Sequence, residues 1–174
     1  MRRKRNQLIL AIVVSGIVLH VVQIAFVDNF MAIGTASPDL LLILTAFVGM
    51  RLGQFSGSLT GFSAGLLQDA GIHFFGLLAL SKTWVGFLAR YFHAEKILLA
   101  EKFYFPLVVF VLSIVHDTIR YIIQTLNSNV AFTTLLWERG VADASYSAVV
   151  ALLIWWVTPD SWIDFVKFNK RFDR

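Results

Sequence analysis

The chain contains no cysteine. A disulfide framework, a thiolate metal site and a cysteine nucleophile are therefore all excluded. Charge is scarce as well: Asp, Glu, Lys and Arg make up 15% of the 174 residues, against roughly 25% in an ordinary soluble domain. The four histidines, His20, His73, His93 and His116, stand singly and lack ligand spacing such as H-E-x-x-H. No glycine-rich stretch closes on the Gly-Lys-Ser/Thr of a phosphate loop. Without a catalytic constellation, the chain reads as non-enzymatic, with no cofactor and no metal site.

Apolar residues, by contrast, make up 57% of the chain, and the mean hydropathy is +0.72. By length this is one domain, and by composition an integral membrane protein. The net charge of +4 lies in short flanks beside apolar runs. That is a topology signal, not the footprint of nucleic-acid binding, for which no soluble module remains.

Six apolar stretches approach the ~20 residues that cross ~30 Å of hydrocarbon: Leu8–Val27, Asp39–Met50, Gly53–Gly71, Phe74–Phe92, Phe103–Leu126 and Ala142–Thr158. The first follows Arg2-Arg3-Lys4-Arg5 and is longer than the apolar region of a signal peptide, so it is expected to be retained. The second and third are joined so closely that they should form a tight helical hairpin. Asn127–Asp143 reads as a mixed connection, with Phe132–Trp137 lying in the membrane interface or dipping into it.

The expected architecture is a six-helix transmembrane domain over 1–158 and a cytoplasmic amphipathic tail over 159–174. In the tail, Trp162, Phe165, Val166 and Phe172 would meet lipid, while Lys167, Lys170, Arg171 and Arg174 meet headgroups. With the amino terminus inside, the inner flanks hold Arg2, Arg3, Lys4, Arg5, Arg51, Arg90, Lys96, Lys102, Lys167, Lys170, Arg171 and Arg174. The outer flanks hold only Arg139. This bias puts both termini in the cytoplasm.

Two patterns stand out inside the spans. Gly53, Gly57, Gly61 and Gly65 recur at every fourth position and form a stripe without side chains. Membrane helices associate through such surfaces because lipid supplies no hydrophobic force between them. The second pattern is a set of polar residues in the outer half: Asp39, Asp69, Lys82, Asp117 and Arg120, with His20, Gln23 and His116 nearby. A charge at a helix centre costs about 2.5–3.5 kcal/mol on insertion scales, so these groups are expected to meet. Depth suggests Asp69 with Lys82, and helix spacing suggests Asp117 with Arg120. They read either as two neutralising pairs or as a polar cavity open to the outside.

Pro38-Asp39-Leu-Leu-Leu-Ile-Leu, Gly61-Phe-Ser-Ala-Gly65-Leu-Leu-Gln-Asp69, Phe75-Gly76-Leu-Leu-Ala-Leu and Gly86-Phe-Leu-Ala together resemble MreD, the bacterial rod shape-determining membrane protein family. The resemblance covers residues 1–158, and its specific motifs fall between 38 and 90. Asp117 also fits, whereas Gln68-Asp69-Ala70 departs from the Leu-Asp-Leu frequent in the family.

That resemblance implies a subunit of the cell-elongation machinery scaffolding peptidoglycan synthesis. MreC would be its direct partner, with MreB and the elongation glycosyltransferase and transpeptidase reached indirectly. Membrane lipid surrounds it, homodimerisation stays open, and nucleic acid is not a partner. The family also resembles, distantly, the six-helix substrate-binding subunits of energy-coupling-factor transporters. The alternative expectation is therefore a vitamin- or solute-binding transporter subunit with an outward-facing polar cavity.

Overall fold

A computed structural model describes residues 2–32, 36–71, 75–92, 101–126 and 131–158. The described residues are helical, without strands. Helix α1 (Arg2–Val22) continues into π-helical turns at Gln23–Met31. Then come α2 (Leu40–Leu52), α3 (Gln54–Asp69), α4 (Leu77–Ala89) and α5 (Glu101–Thr125). A short α6 (Phe132–Leu135) leads through a π-helical turn at Leu136–Gly140 into α7 (Val141–Val157). The amphipathic tail at 159–174 lies outside the described residues.

Three helical runs are long and apolar enough to cross a membrane: Asn6–Met31, Phe103–Thr125 and Phe132–Val157. They mark the chain as a membrane protein. The last run extends the final helix back to Phe132, where the sequence reading opened this span at Ala142. Trp137-Glu138-Arg139-Gly140 looks like a polar break, yet the backbone stays helical through it by widening one turn.

At 1.5 Å per residue, α2 and α4 are about 20 Å long and α3 about 24 Å. These three short helices form the most tightly packed part of the molecule. α2 and α3 meet at Gly53, whose φ of +102° is open to glycine at little cost and strained for other residues. A Cβ on Gly53 would touch nothing within 4 Å. Gly53 is thus the hinge of the hairpin and not part of the expected packing stripe.

The other three stripe glycines do pack. A Cβ on Gly57 would overlap the Gly86 carbonyl, one on Gly61 the Lys82 carbonyl, and one on Gly65 the Ala79 backbone. Helices α3 and α4 therefore run antiparallel with backbone against backbone. Gly49 of α2 joins the same junction, facing Gly86 and Ala89.

Beside this hairpin sits an apolar core built from α2, α4, α5 and α7. Ala46, Val85, Ala89, Val109, Leu112 and Ala151 are its most buried members. At the end marked by Arg51, Phe105 and Trp155 pack with their rings tilted by 36° and centroids 5.1 Å apart. The Arg51 guanidinium lies 5.8 Å from the Trp155 ring, within cation–π range. Polar groups gather at the opposite end.

Candidate functional site

The polar end is built where helices start and stop. Asp39 precedes α2 with an extended backbone and caps it, accepting the Leu42 N–H at 2.9 Å. The same carboxylate pairs with Lys82, whose side chain is fully buried. Lys82 sits in the second turn of α4, and helical side chains lean toward their own N-terminus. That lean carries its ammonium across to the start of α2.

Asp69 has a different task from the one expected of it. It is fully buried and accepts the backbone N–H groups of Gly76 (3.0 Å), Leu78 (2.9 Å) and Ala79 (2.9 Å). The first N–H groups of a helix have no partner within the helix, and the macrodipole there favours an anion. The expected Asp69–Lys82 pair is replaced: Asp69 caps α4, and Lys82 turns to Asp39. Since the Lys82 carbonyl is the group seated on Gly61, the bare stripe on α3 also fixes the helix position of that lysine.

The second expected pair is replaced as well. Asp117 Oδ1 lies 3.1 Å from His116 Nδ1. The Arg120 guanidinium stands 5.6 Å from the Tyr121 ring centroid and forms no ion pair among the described residues. Neighbouring groups on α5 outcompete the i,i+3 contact that sequence spacing allows.

Between these groups is a cavity of about 140 Å³. From the expected set it brings together Asp39, Asp117 and Arg120, with Lys82 reaching it through Asp39. Asp69 does not line it, nor does any stripe glycine. His116 and Gln23 do, as do six polar residues left outside the sequence-based set: Asp28, Ser37, Gln68, Ser113, Asp143 and Ser147. Ser113, His116 and Arg120 recur at i, i+3 and i+7, one face of α5, so their shared exposure to the cavity follows from spacing alone. Asp143 stands where the expected connection and the expected last span overlap.

Polar ties close the cavity from the α1 and α7 sides. The Gln23 amide donates to Asp28 (2.7 Å) and to the Pro38 carbonyl (3.0 Å), and its oxygen accepts from the Leu40 N–H (3.0 Å). Ser37 N–H donates to Asp143 (3.0 Å), and Asp39 N–H donates to the Ser147 hydroxyl (3.1 Å). The extended segment 36–39 is thereby held to α1 and α7 together. Among the described residues, no cluster of three or more His, Asp or Glu side chains is arranged to hold a metal ion.

Comparison with protein-family models, with curated proteins and with solved structures returns no match for this chain.

Proposed function

We propose that this protein is a non-enzymatic scaffold of the bacterial cell-elongation complex, a membrane subunit of the MreD type. It crosses the cytoplasmic membrane six times with both termini inside. MreC is its direct partner, and MreB and the wall-synthesising glycosyltransferase and transpeptidase act through that contact.

One observation supports this reading above the others. The motif residues that resemble MreD serve structure: Asp39 caps α2 and holds Lys82, Gly61 and Gly65 seat the α4 backbone, and Asp69 caps α4. Such a module offers a partner a rigid surface and offers a substrate no chemistry. Its outer flanks are apolar, with Trp84 and Phe87 exposed along α4, Tyr91 in the turn that follows it, and Phe55, Leu59 and Phe62 along α3.

The transporter alternative needs a binding chamber, and pockets for drug-sized ligands run to roughly 300–1,000 Å³. A cavity of about 140 Å³ is small for a vitamin. Depleting the protein in its host and purifying a tagged copy separates the two readings. Loss of rod shape together with co-purification of MreC supports the scaffold. Cells that stay rod-shaped, with a transporter ATPase co-purifying in place of MreC, would sink it.

A further inference from the structure

The cavity leaves several polar atoms without partners among the described residues: Gln68 Oε1, Ser113 Oγ, His116 Nε2 and Arg120 Nε. Two of their side chains are deeply buried, with His116 4% and Ser113 3% exposed. Buried polar atoms are normally paired, because an unmet one costs its full desolvation. What these atoms require defines a ligand.

His116 Nδ1 faces a carboxylate oxygen, which can only accept, so Nδ1 carries the hydrogen. In the neutral ring Nε2 is then an acceptor. The Gln68 amide nitrogen points at Asp39 Oδ1, 3.4 Å away, which leaves Gln68 Oε1 as a second open acceptor. Both call for an N–H or O–H donor.

Charge adds the sign. Asp28, Asp39, Asp117 and Asp143 line the cavity. Against these four stand Arg120 and, bonded to Asp39, Lys82, with His116 adding a positive charge only when protonated. The wall therefore holds an excess of carboxylates. Each carboxylate already accepts from a protein donor, which suits a hydrogen-bonding organic cation better than a bare metal ion. Arg120 Nε needs the reverse, an oxygen acceptor. For size, an engineered cavity of about 150 Å³ in another protein takes up benzene, a molecule of six heavy atoms.

We propose that this cavity binds a small primary ammonium compound that also carries an oxygen acceptor. The ammonium would sit against His116 Nε2 and Gln68 Oε1, and the oxygen against Arg120. An ethanolamine lipid headgroup and a free amino compound such as alanine share this chemistry. Occupancy would not depend on which protein partner is assembled, so failure here leaves the scaffold reading standing.

The test uses the full-length purified chain in nanodiscs of phosphatidylglycerol, which offers no amine. Ethanolamine and alanine are titrated in, with ethylene glycol as the uncharged match, and binding is followed by ligand-observed NMR. Saturable binding of the amines, absent for ethylene glycol, is expected. Gln68→Met should weaken it about tenfold, the scale of one hydrogen bond to a charged group. Because Gln68 is only half-buried, this variant should keep the wild-type unfolding midpoint, and Ser113→Ala gives a second check. If phosphatidylethanolamine added to the nanodiscs competes with free ethanolamine, the lipid headgroup is a source of the ligand; if it does not, the ligand is a free amine. No saturable amine binding and no retained phosphatidylethanolamine, or equal binding of ethylene glycol, overturns the proposal and leaves a cavity that holds water.

Discussion

Helices α1 and α3 belong to one bundle but are held by different means. The Asn6–Met31 run has the highest mean hydropathy of the three long helical runs, 2.6, yet its apolar window is only 11% buried. Ile9, Leu10, Val13 and Val14 stand exposed along it. Helix α3 is richer in glycine and serine and is pressed backbone to backbone against α4. In water the more apolar helix would be the more buried. In lipid an exposed leucine costs nothing, so association follows small residues and polar ties. The Asn6–Met31 run is tied chiefly through Gln23, at the start of its π-helical turns, and α3 through Gly57, Gly61 and Gly65.

Substitutions can break this contrast. The largest effect is expected for Gly61→Leu, whose side chain would have to displace the Lys82 carbonyl and Thr45 together. Folded, membrane-inserted protein should be lost, as measured by detergent-solubilised yield on size exclusion. Full yield would mean the α3–α4 interface is looser than described.

Next in size is the buried ion pair. Asp39→Asn or Lys82→Met alone should cost about 3–5 kcal/mol, because each strands a buried charge. The double variant should recover much of that loss in an unfolding-midpoint series. Equal damage from single and double variants would show that the two side chains act separately.

A smaller cost is expected at the α4 cap. Asp69→Ala leaves three N–H groups without their acceptor and should cost about 1–3 kcal/mol. Hydrogen exchange at Leu78 and Ala79 should accelerate selectively. Unchanged protection at those amides would remove the capping role.

How far the sequence showed all this depends on the range of each interaction. The stripe at Gly57, Gly61 and Gly65 was visible because helical spacing is local. Gly53 carried the same spacing but serves a left-handed turn, and nothing in a period of four distinguishes the two uses. The wrong pairings share one cause. Depth placed Asp69 near Lys82, but the start of α4 competes for that carboxylate with three backbone donors. Spacing placed Asp117 near Arg120, but His116 is nearer still. The cavity was legible only in half, since Asp39 and Asp117 declared themselves as charges inside apolar runs. Asp143 stood where the connection meets the last span, Gln68 stood out only beside Asp69 in the family motif, and Ser113 attracts no notice until α2, α3 and α5 are brought together.

The contrast between α1 and α3 rests on what one methyl group meets. Gly16→Ala on α1 would place its Cβ 3.7 Å from Leu44 Cδ2, an ordinary contact. Gly61→Ala on α3 would drive the same methyl into the Lys82 carbonyl. The two variants add identical atoms to equally helical backbone, so their unfolding midpoints in one detergent compare packing alone. Gly16→Ala should stay within about 0.5 kcal/mol of the native chain, while Gly61→Ala should lose about 1–3 kcal/mol or more. Equal losses at the two positions, or none at Gly61, would contradict the claim that backbone contact across bare glycines holds this bundle.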